Sequence, residues 1–214
     1  MSKSSSGNGK FIVGAIIAII IGGAAIVAIS SSGSDTTTSS GNISEFSEVT
    51  VTGESLPAFD SASTATDASI GMTAPIVSGK GFTGTEIPTD GAGTPTMLVF
   101  LAHWCQFCQR EVPLLVQWEK DGKTPTGIDV IAVATGTDPA NPNFPPSEWL
   151  AREEFPALWP VIADSADKKA ADAFGLSGYP YFVLIDARGK VFKRLSGEIP
   201  MDELTAIINQ MIGV

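Results

Sequence analysis

The 214-residue chain has two cysteines, one histidine, two tyrosines and only 13 basic residues against 23 acidic ones. Each shortage excludes something. Two cysteines and one histidine fall short of the four ligands that a structural Cys/His zinc site takes. Nor can two cysteines staple a disulfide mini-fold. A net charge of −10 repels a phosphate backbone, so nucleic acid is not an expected partner. No self-similar period runs along the chain, which argues against a repeat solenoid. What is present, 43% hydrophobic and 17% charged residues, suits one globular core of about 140 residues plus appendages.

The longest apolar run is at the start. Residues 11–29, FIVGAIIAIIIGGAAIVAI, are nineteen residues without a charge. At about 1.5 Å per residue they reach roughly 28 Å, close to the hydrocarbon thickness of a bilayer. Lys3 and Lys10 precede the run, and the next basic residue is Lys80. That asymmetry predicts a cytoplasmic tail over 1–10, a transmembrane anchor over 11–29 and everything after it outside. A cleaved signal peptide is the competing reading. The apolar run is long for one, and Ala28-Ile29-Ser30 makes a poor cleavage site. Beyond the anchor, 11 of the 13 basic residues face 23 acidic ones, a net charge of −12. This favours solubility, and sign alone identifies no docking partner.

Residues 30–42 are almost all Ser, Thr, Gly and Asp, and cannot bury enough apolar surface to offset their ordering entropy. The expectation is a flexible linker over 30–69, with a short strand near 49–51 where the pattern alternates at period two. A folded domain should occupy 70–214. Within it, strands are expected at 82–87, 96–102, 128–134, 160–163, 181–185 and 191–195. Helices are expected at 106–120 with a kink at Pro113, at 147–155 with Ser147 as N-cap, from Asp164 or Ser165 to Phe174, and from Pro200 onward. Strands alternating with helices imply an α/β domain whose sheet is mostly parallel and covered on both faces. The 181–195 hairpin adds an antiparallel edge and makes the sheet mixed.

Both cysteines lie in Trp104-Cys105-Gln106-Phe107-Cys108, directly after a buried strand and at the opening of a helix. The helix N-terminus favours a thiolate on Cys105, the nucleophile of disulfide exchange. A second thiol one turn on, Cys108, can attack the resulting mixed disulfide. Cys105 is therefore read as the attacking residue, which must be partly exposed, and Cys108 as the resolving one. A structural disulfide closing so short a loop adds little stability. A metal half-site would need another chain, and inert core thiols do not account for the strand-CxxC-helix context.

The stretch from Phe100 to Pro113, FLAHWCQFCQREVP, resembles the active site of thioredoxin-fold oxidoreductases, above all the membrane-anchored TlpA/ResA-like branch. Glu111 and Pro113 occupy positions that branch commonly fills with an acid and a proline. The resemblance continues through Trp159–Asp164, Phe174–Tyr181 and Asp186–Lys190, and covers about 70–214. It implies a thioredoxin-like fold, with Pro180 cis and packed beside the cysteines. The substrate-binding residues would be Trp104, Tyr179 and Pro180. Tyr179 departs from the Thr or Val often found before that proline, and so could shape which substrates dock. Glu111, partly buried one turn after Cys108, would accept the Cys108 proton. His103, read as lying on an exposed loop, would raise thiolate character when charged, although it would be mostly uncharged at neutral pH. Gln106 and Phe107 would tune the potential. The acid that many thioredoxins carry six residues before the first cysteine is replaced by Val99. Ala102 stands where a peroxiredoxin has threonine, and Gln109 follows Cys108, so the chain carries neither a peroxidase motif nor a haem-attachment motif.

The resulting expectation is a membrane-anchored, extracytoplasmic protein thiol-disulfide oxidoreductase that leans to reduction, as in cytochrome c maturation. It would need no metal and no cofactor beyond the Cys105–Cys108 pair. Its partners would be exported cysteine-containing proteins and a membrane redox protein that recycles the pair, and its ectodomain would be monomeric. The alternatives are a disulfide-forming oxidase of the same fold and a tethered binding or chaperone module without turnover.

Overall fold

The computed structural model describes residues 43–63, 66–90 and 93–214. The expected tail, anchor and first part of the linker lie outside these residues. Among the described residues no helix is long and apolar enough to cross a membrane.

Two sheets form. The first is a small antiparallel one of β1 (Thr50–Thr52), β2 (Ile76–Lys80) and β3 (Glu86–Pro88), in that order. The second has five strands: β4 (Thr96–Leu101), β5 (Asp129–Ala134), β6 (Val161–Ala163), β7 (Tyr181–Ile185) and β8 (Val191–Ser196), in the order β6-β5-β4-β7-β8. β4 is buried along its whole length, and its side chains alternate between two cores. Met97, Val99 and Leu101 join one core with α1 (Gln106–Lys120), α2 (Pro146–Arg152) and α4 (Met201–Ile212). Leu98 and Phe100 face the other, which holds α3 (Lys169–Ala173) and Phe174. β5 and β7 alternate in the same way. The expectation of an α/β sheet with helices on both faces therefore holds.

The sheet is less parallel than expected. β4–β5 and β5–β6 are parallel, whereas β4–β7 and β7–β8 are antiparallel. The connection from β6 to β7 carries only the five-residue α3 and returns to the end of the sheet that it left, so β7 starts where β4 and β5 finish. Phe100 pairs with Tyr181, and Leu101 with Ala134. Three connections therefore meet at one end: the turn after β4, the loop after β5 and the turn before β7.

The domain begins earlier than residue 70. Val49 and Leu56 are buried in the α3-side core, each contributing about 1.5–3 kcal/mol by leaving water. Leu56 and Phe59 donate backbone N–H groups to Ala173 O and Gly175 O at 2.8 and 2.9 Å. Buried Arg194 forks onto Asp67 at 2.8 and 2.6 Å and donates to Pro57 O at 2.8 Å. Gly175, at φ +67, admits this strap, since a Cβ there would stand 2.3 Å from Pro57 O.

Local starts and stops also shift. The strand expected at 82–87 is a hairpin of β2 and β3. β2 escaped notice because its second inward position is Gly79 rather than a large apolar residue. α2 starts at Pro146, and Ser147 is not its cap. Instead Glu45 of the strap accepts hydrogen bonds from the Ser147 N–H and hydroxyl. α3 starts only at Lys169, where Asp164 accepts the N–H groups of Ala170 and Ala171, and Ser165 Oγ that of Lys169. α1 continues through Pro113 without ending.

Candidate active site

Cys105 is the N-cap of α1, with extended backbone at φ −73 and ψ 118. Its N–H donates to Ala102 O, and its carbonyl accepts the Gln109 N–H that opens the helix, both at 3.0 Å. The two cysteines are free thiols. The Cys105 Sγ donates to Tyr179 O at 3.7 Å, across the start of β7. The Tyr179–Pro180 peptide is cis. The antiparallel setting of β7 is thus what brings Pro180 beside a cysteine far away in sequence.

Cys105 is 6% exposed, less than an attacking thiol was expected to be, while Cys108 is at 0%. Their order of access is still the expected one. Burial pushes the Cys108 thiol well above the ordinary range, and the neighbouring Cys105 and Glu111 push it the same way.

Glu111 shares the inner face of α1 with Cys108, Val112 and Leu115. It is wholly buried. Its Oε1 accepts the Ile199 N–H at 3.3 Å, while its Oε2 has no hydrogen-bond partner. Burial pushes its carboxyl up to about 7, the Ile199 N–H opposes this, and the charge of Glu198 adds to it. An unpartnered buried oxygen costs free energy unless it holds a proton or exchanges one. The group is therefore poised to take up and release a proton near neutral pH.

His103 does not lie on an exposed loop; it is 1% exposed. Its Nδ1 is 2.6 Å from Pro142 O, and its Nε2 is 3.2 Å from the Asp138 N–H. A carbonyl needs a donor and an N–H needs an acceptor, which assigns the donor role to Nδ1 and the acceptor role to Nε2. The loop after β5 covers the imidazole, which is why the expectation of an exposed ring does not hold. Trp104 Nε1 donates to Gly136 O at 2.8 Å, and its ring stands edge-on to Tyr179 at 5.6 Å. Burial pushes the Tyr179 hydroxyl up to about 12. Gln106 and Phe107 are exposed, and Phe107 lies under Arg110 at 4.8 Å.

Three partners escaped the sequence reading. Arg110 forks onto Glu198 at 2.7 and 2.8 Å. Ile199 reaches Glu111. The loop after β5 carries Asp138, Pro142 and Phe144. Only the Asn- and Pro-rich composition of 141–146 marked that loop in the sequence. Among the described residues, no group of three or more His, Cys, Asp or Glu side chains is placed to hold a metal.

Known proteins resemble this chain. A family described as a thioredoxin-like domain matches residues 87–212. The thiol-disulfide oxidoreductase ResA of Geobacillus thermodenitrificans is 29% identical over 120 residues, which cover 54% of this chain and 62% of that protein. ResA of Bacillus subtilis is 31% identical over 110 residues, covering 51% and 56%. The chain thus spans about three-fifths of the length of these relatives. A crystal structure described as the thiol:disulfide interchange protein DsbE of Chlorobium tepidum is 28% identical, with a TM-score of 0.52, covering 67% of this chain and 94% of that one. The family match spans more than half of the chain and includes the sheet, the CxxC turn and Pro180. This chain belongs to the thioredoxin-like family.

Proposed function

We propose that the protein is a thiol-disulfide oxidoreductase that exchanges disulfides with exported proteins through Cys105 and Cys108. The observation that carries this reading is the stacking of three groups along the start of α1. Cys105 lies at the helix N-cap beneath Tyr179 O, Cys108 is buried one turn behind it, and the half-partnered carboxyl of Glu111 is one turn further on. The names of the ResA relatives support the same chemistry.

In the reducing direction, the Cys105 thiolate attacks one sulfur of a substrate disulfide. That S–S bond breaks, and the other sulfur leaves as a thiolate. The N-terminal end of α1 faces the negative charge of the attacking sulfur. Cys108 then attacks Cys105 Sγ as its proton passes to Glu111, and the second substrate sulfur leaves as a thiolate. The protein ends as a Cys105–Cys108 disulfide and the substrate has gained two electrons; its two thiolates take their protons from solvent, to which Cys105 and, through Glu111, Cys108 have released theirs. Proton transfer during bond formation suits a site where burial disfavours a free Cys108 thiolate and the carboxyl titrates near neutrality. Pro180 has no N–H, and Tyr179 O faces the same sulfur, so an extended substrate can lie along this turn.

The 19-residue apolar run and its flanking lysines support an uncleaved anchor with the catalytic domain outside the membrane. The tether expected over residues 30–42 would reach about 20 Å as a random coil, which favours recycling of the pair by a membrane-embedded redox partner. No diffusible cofactor is needed, since the cysteine pair carries the electrons. A reductive role of the cytochrome c maturation type fits the resemblance to the ResA-like branch.

The test is the reduction potential of the Cys105–Cys108 pair in the whole chain, equilibrated with glutathione or dithiothreitol buffers. A value near or below about −250 mV supports a reductase. A value of about −120 to −180 mV makes the protein a disulfide-forming enzyme instead. Absence of any reversible two-electron exchange removes the oxidoreductase reading and leaves a binding module.

A further inference from the structure

The two residues before Cys105 hold the loop after β5 in place. His103 grips it at two points, Pro142 O at 2.6 Å and the Asp138 N–H at 3.2 Å. The loop grips back, because Asn143 Nδ2 donates to His103 O at 3.2 Å. Gln109 of α1 donates to the same carbonyl at 3.2 Å, so loop, turn and helix share one polar node. Asp138 braces the loop internally, accepting from the Ala140 N–H at 2.9 Å and Asn141 Nδ2 at 2.8 Å. At the root of the loop, Trp104 bonds to Gly136 O. A Cβ on Gly136, whose φ is +61, would stand 2.7 Å from the Tyr179 hydroxyl. Besides Asp138 and the 139–142 turn, this framework presents two aromatic rings to solvent. Phe144 is 39% exposed and edge-on to the His103 ring at 6.0 Å, and Trp104 is 37% exposed.

We propose that His103 is a positioning residue for partner recognition. It pins the 138–144 loop to the active-site turn, so that Phe144 and Trp104 form a fixed apolar ledge that selects partner disulfides flanked by large apolar side chains. The inference rests on the oxidoreductase reading and names the substrate class of that same site. Aromatic rings exposed on a framework held by hydrogen bonds lose little freedom on contact, which is what lets such residues dominate recognition. A charged or small polar flank would gain no apolar burial on the ledge and would lose solvation there. The imidazole suits the task because it donates on one side and accepts on the other within a single rigid ring.

The experiment uses the whole reduced chain in single turnover against three substrates. Two are peptide–glutathione mixed disulfides, one with its cysteine between Phe and Leu and the other between Ser and Gly. The third is oxidised glutathione. In each case the Cys105–Cys108 dithiol becomes a disulfide and the substrate disulfide becomes two thiols, so no further reductant is involved. The wild type should prefer the apolar peptide to the polar one by about tenfold. His103→Ala and Phe144→Ala should each bring that ratio close to one. His103→Gln, which can still accept from the Asp138 N–H, should restore part of it. A purely structural histidine would slow all three substrates alike and leave the ratio intact, which overturns the inference. Absence of the preference in the wild type overturns it too. If His103→Ala does not fold, survival of the ratio in Phe144→Ala is decisive against the ledge. Failure of the wild type with all three substrates is a different result, because it removes the oxidoreductase reading itself.

Discussion

Two of the carboxylates that this domain withdraws from water, Asp67 and Glu111, are treated in opposite ways. Asp67 meets a buried guanidinium. Arg194 forks onto both of its oxygens, the Ser69 N–H adds a third bond, and the result holds the carboxyl below its usual range. Glu111 meets one backbone N–H and otherwise apolar surroundings, which push its carboxyl up to about 7. Asp67 ties the strap to β8, far from either cysteine in sequence, and its charge is permanent at neutral pH. Glu111 stands behind Cys108, and its charge is conditional there. A buried acid that is fully partnered serves the fold, while one left half-partnered is available to chemistry.

The largest effect should come from breaking the satisfied pair. Arg194→Met strands Asp67 and leaves Pro57 O without its donor, while Phe174 O keeps only the Tyr181 hydroxyl. The expected loss is about 3–5 kcal/mol in urea unfolding, and a loss below about 1 kcal/mol would show that the clasp is dispensable. The pH sign follows from the lowered folded pKa. Between that value and the unfolded one, the unfolded state binds more protons. The contribution of Asp67 is therefore present above the unfolded pKa and is lost as pH falls through the folded one.

Glu111→Gln should act with the opposite sign. The folded pKa of about 7 lies above the ordinary 4.5, so between them the folded state binds the extra proton. Stability then falls as pH rises through that window, and the full cost remains above it. The variant should be more stable than wild type at pH 8, by up to about 3 kcal/mol, and equal to it at pH 4. Urea midpoints at the two pH values measure this. A variant less stable at pH 8 would mean that the carboxylate has a partner after all.

The sequence made some of this contrast legible. The continuous apolar runs of β4, β5 and β7 announced the central sheet, and Cys108, Glu111, Val112 and Leu115 fall on one helical face by spacing alone. That spacing put Glu111 near the resolving thiol but could not reveal how its two oxygens are partnered, because Ile199 arrives from 88 residues further along the chain. The clasp was hidden for the same reason. Asp67 sits in a polar stretch that reads as linker, and only the fold brings Arg194 to it. His103 was misplaced because its exposure depends on a loop some 35 residues later, which folds over it. Patterns of apolar residues report burial along one element, whereas polar partners are chosen in three dimensions.

The catalytic half of the comparison is sharpened by the resolving step. In the wild type, the rate at which Cys108 displaces a thiol from a Cys105 mixed disulfide should rise with pH through about 7, as Glu111 ionises. Glu111→Gln should slow that step about 10- to 100-fold at pH 7.5 and remove the rise, toward the low end for a general base because water can take the proton instead. Stopped-flow release of a fluorescent thiol from the preformed mixed disulfide reads both. An unchanged rate would move the proton to another acceptor.

The smallest effect separates the charge of Glu198 from its ion pair. Glu198 raises the Glu111 pKa through space, and it is forked by Arg110 on the exposed side of the same turn. Glu198→Gln removes that negative charge and leaves Arg110 uncompensated, and both changes favour an ionised Glu111. The rising limb of the resolving rate should therefore move to lower pH while its plateau holds. Arg110→Gln leaves Glu198 unneutralised and should move the limb to higher pH. Opposite shifts from the two halves of one ion pair cannot come from a loss of the bridge as such, which would act in the same direction in both variants. Equal shifts would show that the pair acts only by holding Ile199 in place. In that case the backbone N–H on Oε1, and not the surface charge, would set the proton affinity of Glu111.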